Sequence, residues 1–237
     1  AKCPADQWLS ADVQCEALSV MAFEMQARSG FGTKVKTEHV KTVMPHEVRL
    51  DPNWPPQPAP PNVVLSLAAS AKIIEMPVDR STVRFYHQLL QEYFAAHQML
   101  KQDPAKLAHL WRWPWLDTEM PLWIRPESNY EPLPPPPQTG WEETTILAAG
   151  SAPENDNQLV QTMLQVNPVL AGRCLVHGPA SFDPPTRQAV IDDLLLTITT
   201  PEVALRVRIA AGEVLGYLGD PRLGDMIIVP AGEFLMG

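Results

Sequence analysis

A histidine stands where a strand pattern passes into a helix pattern. Residues 84–97 read RFYHQLLQEYFAAH, and His87 follows Val83 and Phe85, which alternate as in a half-buried strand. A histidine at such a junction lies beside the N-terminal N–H groups of a helix, where phosphate groups bind. His87 is therefore a candidate phosphate ligand, and a histidine packed at the edge of the core is the alternative. Apolar residues continue at helical spacing at Leu89, Leu90, Tyr93, Phe94 and Ala96.

Other patterns that carry chemistry do not occur in this sequence. It contains no G-x-x-x-x-G-K-[ST] loop for a triphosphate and no G-x-S-x-G nucleophile elbow. The carboxylate pairs Glu142-Glu143 and Asp192-Asp193 are predicted to be solvated, because adjacent residues on a helix point in different directions. The remaining histidines are dispersed. We therefore expect no catalytic residue and no metal ligands in this chain.

The cysteines suggest structural thiols in a reducing compartment. Cys3, Cys15 and Cys174 form no C-x-x-C pair and have no zinc-site spacing. Cys15 and Cys174 fall within apolar helical patterns, so we expect them to be buried and unreactive. Scattered reduced thiols fit the cytoplasm. The N-terminus lacks the basic and apolar regions of a signal peptide.

The charge balance limits the partners of the protein. The 237 residues carry a net charge of −9, whereas general binders of nucleic acid or of anionic membranes need a basic face. No apolar run approaches the roughly 20 residues that span a bilayer. We expect neither nucleic acid nor membrane as a partner.

The order of elements in the first hundred residues predicts a winged helix with a small β-wing. A proline-dense loop over 50–61 is inserted in it. The candidate DNA-recognition helix, NVVLSLAASAK, has one lysine at its end and no side chains suited to reading bases, which argues against DNA binding. The predicted elements are a helix over 12–28 between Ser10 and Gly30, a helix over 37–44, a helix capped by Asn62, strands over 72–76 and 82–86, and the helix after His87.

A connector rich in tryptophan and proline follows over 102–141. It holds five of the seven tryptophans, and Pro134 to Pro137 should be polyproline II. One interpretation is an aromatic groove or a ligand for a polyproline-binding module. The other is an irregular connector whose rings and prolines supply its own packing.

Short helices that begin at proline predict an α-helical, HEAT-like repeat region over 142–223. Helix starts are predicted at Asn167-Pro168, Asp183-Pro184 and Thr200-Pro201, since proline suits the first helical position. Asn155 or Asp156 should cap an earlier helix, and Gly219 should end the last one. The final residues, MIIVPAGEFLMG, read as a β-hairpin fragment.

Four stretches, in order, resemble segments of bacterial NACHT-type STAND nucleotidases. RFYHQLLQEYFAA resembles the end of their winged helix, and WRWPWLDTEMPLW resembles the connector after it. GWEETTILAAG, LVQTMLQVNPVLAGRCL and VRIAAGEVLGYLGDPR are similar to the helical region that follows. MIIVPAGEFLMG resembles the opening of a formylglycine-generating, sulfatase-modifying-factor type domain. The implied domains are 1–101 (winged helix), 102–141 (connector), 142–223 (helical repeats) and 224–237 (truncated C-terminal domain).

The resemblance implies a regulatory portion of a signalling NTPase. An upstream module of the parent chain would bind ATP or ADP with magnesium, and His87 would reach the β-phosphate of bound ADP. This chain begins without methionine and lacks the Walker elements, so we expect it to be a fragment that is not catalytic and holds no cofactor by itself. The helical repeats are a candidate surface for a protein ligand, and the resemblance allows the parent to oligomerise on activation.

Two alternatives stay open. One is a helical scaffold that binds a partner protein without any role for nucleotide. The other is an N-terminal extension of a formylglycine-generating-type enzyme, whose catalytic part would lie beyond residue 237.

Overall fold

The computed structural model describes residues 8–29, 34–112, 136, 138–152, 157–178, 182–224 and 232. Within these ranges the chain is mainly helical, as predicted. Four predictions lie outside them: Gly30 as a helix end, the tryptophan- and proline-rich stretch over 113–135, the caps Asn155 and Asp156, and nearly all of the terminal hairpin.

Within the described ranges, the first part of the chain consists of four helices and five short strands. Its leading helix follows the predicted apolar stripe, and Ser10 Oγ caps it by accepting the N–H of Val13 at 3.3 Å. The elements in chain order are α1 (Ala11–Ser29), β1 (Val35–Lys36), α2 (Thr37–Val43), β2 (Glu47–Val48), β3 (Gln57–Pro58), α3 (Pro61–Ser70), β4 (Ile74–Glu75), β5 (Thr82–Phe85) and α4 (Gln88–Met99).

A three-stranded antiparallel sheet has the order β1–β5–β4. The two predicted wing strands are β4 and β5, and β1 is a third strand that the sequence pattern did not reveal. In β5, Val83 and Phe85 are buried and Arg84 is exposed, which confirms the predicted alternation. The sheet thus covers one side of the core to which α1, α3 and α4 contribute.

The proline-dense loop supplies the turn and the second strand of a small hairpin, β2–β3, in which Val48 pairs with Gln57. Its turn is closed by Asp51, whose carboxylate accepts the N–H of Asn53 at 2.7 Å. The cap predicted at Asn62 is wrong. Pro61 takes the first helical position, where its fixed φ is favourable, and so Asn62 already lies inside α3.

The second part is a stack of helices in two layers. In one layer α4, α6, α8 and α10 pack side by side in sequence, and in the other α5, α7 and α9 do the same. Helices adjacent in sequence from α7 onward also pack on each other across the layers. The elements are α5 (Pro104–Trp111), α6 (Glu142–Ser151), α7 (Gln158–Leu164), α8 (Pro168–His177), α9 (Pro184–Thr199), α10 (Leu205–Leu218) and a 3₁₀ turn (Pro221–Leu223).

Two of the three predicted proline starts are confirmed. Asn167 Oδ1 accepts the N–H of Leu170 at 3.0 Å and caps α8. The carboxylate of Asp183 accepts the N–H of Thr186 at 2.7 Å and caps α9. Gly219 follows α10 with φ +91°, a left-handed conformation that favours glycine, and so ends the helix as predicted.

The third predicted start is wrong. Pro201 opens a single turn, closed by the N–H of Val203 on the carbonyl of Thr200 at 3.2 Å. Ala204 then takes an extended ψ of 135°, so the helix begins only at Leu205.

Part of the predicted irregular connector is also helical. Asp103 caps α5 by accepting the N–H of Ala105 at 3.0 Å, and Pro104 occupies its first position. Trp111, at the end of α5, is fully buried and donates its indole N–H to Thr145 Oγ1 at 3.0 Å. Its ring therefore belongs to the helical core and not to a surface groove.

Asn167 joins two helices of the stack, and this generates a prediction. It is fully buried, and besides capping α8 it donates Nδ2–H to the carbonyl of Trp111 at 3.0 Å. Asn167→Ala removes the cap and leaves a buried carbonyl unpaired, so the free energy of unfolding should fall by about 2–3 kcal/mol in urea titrations. The matched control is Asp103→Ala, which removes an exposed cap and should cost about 1 kcal/mol or less. Equal losses in the two variants would contradict the role given to the bond to Trp111.

Candidate functional site

His87 lies at the junction of the sheet and the helical stack. It directly precedes α4 with extended dihedrals, φ −127° and ψ 143°, and its side chain is exposed. Its ring packs edge-on against Tyr86, with ring centroids 4.7 Å apart. The alternative of a histidine packed at the edge of the core is wrong, because the buried and exposed alternation ends with β5 at Phe85, and both residues between β5 and α4, Tyr86 and His87, are exposed.

The start of α4 can receive an anion. The carbonyl of His87 accepts the N–H of Leu90 at 3.1 Å, which begins the helix, and the side chain of His87 makes no capping hydrogen bond. The first turn carries no acidic residue. Because helix N–H groups gather there with a partial positive charge, the imidazole of His87 and the helix start can address the same anionic group.

The face of α4 around His87 is aromatic and exposed. Leu89 and Tyr93 are 63% and 44% exposed, although they fall at the helical spacing of the predicted apolar pattern. Gln91 and Glu92 are buried in their place, and Glu92 accepts a hydrogen bond from Gln88 at 2.7 Å. The reason is tertiary: α4 packs against α1 on one side and α6 on another, and these contacts select the residues that face inward.

The exposed side chains on this face also contact one another. Tyr93 packs against His97 with ring centroids 5.6 Å apart. Tyr86, His87, Leu89, Tyr93 and His97 together form what we call the α4 face. Sequence reasoning identified His87 but missed this surface, since an apolar residue at helical spacing is normally assigned to the core.

Of the carboxylate pairs, one residue departs from its prediction. Glu142 is buried, and its carboxylate accepts the N–H of Thr139 at 2.7 Å and of Gly140 at 2.9 Å. It therefore shapes the chain before α6 and is not a solvated residue. Asp192 is exposed and Asp193 is half-buried, and burial raises the pKa of Asp193. Among the described residues no three or more histidines, cysteines and carboxylates are grouped as metal ligands would be.

The two described cysteines differ from each other. Cys174 is buried as predicted, and burial raises the pKa of its thiol to about 12. Cys15 is exposed, so its predicted burial is wrong, because it lies on the outer side of α1. Partial burial and the nearby carboxylates of Asp12 and Glu16 raise the pKa of Cys15 as well.

Comparisons with known proteins add no relative to this picture. No protein-family model matches the chain, no curated protein matches it, and no solved structure matches it. Among the helices of the described residues, none combines the length and the apolar character needed to cross a membrane. The candidate site is thus defined by its own geometry.

The exposure of His87 gives a prediction about stability. His87→Ala should change the free energy of unfolding by no more than about 0.5 kcal/mol, because an exposed ring contributes little packing. Phe94→Ala, seven residues along the same helix, should cost about 3–5 kcal/mol, since Phe94 is only 6% exposed. Chemical denaturation of both variants measures the difference. A loss at His87 that approaches the loss at Phe94 would restore the core interpretation.

The pKa of Cys174 gives a prediction about pH. The folded chain keeps the thiol protonated up to about 12, whereas the unfolded thiol loses its proton near 9.0. Stability from this group is therefore present below pH 9 and falls as pH rises toward 12, by at most about 1.4 kcal/mol per pH unit. Denaturation over this pH range should show the decrease in the free energy of unfolding for the unsubstituted 237-residue chain. Cys174→Ala should show a smaller decrease. Cys15→Ser is the control and should keep most of the decrease. If the free energy of unfolding depends on pH equally in the unsubstituted chain and in Cys174→Ala, the buried thiol is not its cause.

Proposed function

We propose that this chain is the winged-helix and helical-repeat portion of a STAND-type regulatory NTPase, with His87 as its nucleotide-facing residue. The observation that carries the proposal is the exposed position of His87 at an uncapped helix start. In this function His87 contacts the diphosphate of a nucleotide that a separate module of the parent protein holds.

The arrangement of the first part supports a winged helix. Three helices, α1 to α3, alternate with a sheet of order β1–β5–β4, and the β4–β5 hairpin takes the place of the wing. A winged helix used as a switch needs no basic recognition surface. The exposed positions of α3 at Asn62 and Ser70 are accordingly uncharged.

The two-layer stack supports the HEAT-like part of the proposal. Each helix from α6 to α10 packs on its second neighbour in the same layer, as the helices of an α-solenoid do. Because α4 is the first helix of one layer, a displacement at His87 is transmitted directly to the repeats. The helical region then acts as the relay between the nucleotide and the rest of the parent protein.

The proposed mechanism is a latch. A histidine that hydrogen-bonds the diphosphate stabilises the closed arrangement relative to the open one, and a ligand shifts an equilibrium only by such differential binding. One charge-assisted bond contributes about 1.5–3 kcal/mol, which shifts the equilibrium tenfold or more. Loss of the nucleotide contact would release the winged helix.

The latch is tested by His87→Ala in the intact parent protein. We expect about tenfold faster loss or weaker binding of ADP, measured with a fluorescent ADP analogue, together with raised basal activity. His97→Ala, at the far end of the α4 face, is the control and should retain ADP normally. Unchanged ADP affinity and basal activity in His87→Ala would eliminate the latch.

A second candidate function is a protein-interaction scaffold. It is favoured by exposed hydrophobic side chains on the last two long helices, namely Leu196, Leu205, Ile209 and Tyr217. The scaffold needs no nucleotide, so a His87→Ala parent that keeps its ADP affinity and basal activity would favour it over the latch.

A further inference from the structure

A cleft beside the β4–β5 hairpin has the properties of a ligand site. Its volume is about 390 Å³, within the range of roughly 300–1,000 Å³ that small-molecule pockets occupy. The cleft lies between the end of α3 and the β4–β5 hairpin, and Lys34, from the segment before β1, completes its lining. Lys34, Lys72, Thr82, Arg84, Met76 and Tyr86 are among its lining residues.

The cleft is positively charged in a chain whose net charge is −9. Three cations line it, Lys34, Lys72 and Arg84, against the single carboxylate of Glu75. Glu75 accepts hydrogen bonds from Arg84 at 2.7 Å and so fixes the direction of the guanidinium. The two lysines add charge beyond this pair, and a concave wall with one sign of charge concentrates oppositely charged ligands.

Lys72 is held in a conformation that lysine disfavours. It follows the C-cap of α3 with φ +62°, where the N–H of Ile73 bonds to the carbonyl of Ala68 at 2.9 Å. Glycine is usual at this position, because the Cβ atom of any other residue makes the left-handed backbone unfavourable. A strained backbone at the wall of a cleft points to a use for its side chain, and here that side chain is a cation.

The remaining walls define the rest of the ligand. Thr82 supplies a hydroxyl, and Met76 and the half-exposed ring of Tyr86 supply apolar surface. Lysines and an arginine around one volume suit a phosphoryl group, which accepts several charge-assisted hydrogen bonds at once. We propose that the cleft lined by Lys34, Lys72 and Arg84 binds a small phosphorylated molecule, with the phosphoryl group on the cations and the organic body against Tyr86 and Met76.

This site is distinct from the latch, although the ring of Tyr86 contacts both the cleft and His87. The latch needs a nucleotide held by another module, whereas the residues that line the cleft all belong to this chain. Its ligand would set the position of the β4–β5 hairpin, next to the start of α4. A nucleotide and an inorganic phosphate would both bind through a phosphoryl group. Only the nucleotide has an organic part that can contact Tyr86 and Met76, and this contact distinguishes the two ligands.

The test is calorimetric titration of the 237-residue chain with inorganic pyrophosphate and, separately, with ADP. We expect one saturable site for each ligand, and Lys72→Gly should weaken pyrophosphate binding at least about tenfold. Glycine suits the left-handed backbone, so this variant should fold at least as stably as the unsubstituted 237-residue chain. The matched control is Arg80→Gly, which removes a cation from another left-handed position, φ +53°, outside the lining of the cleft. It should change the affinity less than twofold.

The remaining arms assign the site and its ligand. Tyr86→Leu should weaken ADP binding more than pyrophosphate binding, and His87→Ala should weaken pyrophosphate binding less than Lys72→Gly does. Failure of the chain to bind pyrophosphate saturably would overturn the proposal, as would equal losses in Lys72→Gly and Arg80→Gly. Loss of pyrophosphate binding in His87→Ala would assign the anion to the start of α4 instead of the cleft. The chain is also titrated with duplex DNA, and DNA binding that is tighter than ADP binding and equally dependent on Lys72 would replace the small ligand by a nucleic acid. Neither of the last two results bears on nucleotide retention by the intact parent, which remains the test of the latch.

Discussion

The helix α4 belongs to two hydrophobic cores at once, and the rest of the structure depends on this sharing. Phe94 and Ala95 pack in the core of the first part, whereas Ala96 and Met99 pack in the core of the helical stack. A rigid helix cannot serve both cores unless the two parts keep a fixed relation. His87 directly precedes this helix, so its position depends on the packing of both parts. A displacement of His87 together with α4 would disturb both cores.

The contact between the two parts is polar as well as apolar, and the polar contacts fix the orientation of one part relative to the other. Phe23 of α1 packs against Trp141 with ring centroids 5.0 Å apart, and Gln26 donates hydrogen bonds to the carbonyl of Gly140 at 2.9 Å and to Thr144 at 2.8 Å. Glu142 holds the same turn from within through two backbone N–H groups. Apolar packing alone tolerates sliding, but buried hydrogen bonds are costly to break, so the angle between sheet and stack is well defined.

Local chemistry was predictable from the sequence, and tertiary selection was not. The caps at Ser10, Asn167 and Asp183 were found because a short polar side chain before a helix has one dominant use. The exposed face of α4 was missed because Leu89 and Tyr93 repeat at helical spacing, while the neighbours α1 and α6 turn a different face inward. The cleft was missed for another reason: Lys34 precedes Lys72 by 38 residues in the sequence, and the pairing of β1 with β5 in the order β1–β5–β4 brings its segment next to that of Arg84.

The layered packing also gives the helical stack a direction. Its first helix, α4, is covered by α1, whereas α10 at the opposite end leaves Leu205, Ile209 and Tyr217 exposed. A linear array gains or loses units only where its end is open. Within the residues that the structure describes, a further helix pair could therefore pack against α10 but not against the covered side of α4. A longer array of this kind would keep the sheet and His87 at a fixed distance from the first repeat and extend only the far end.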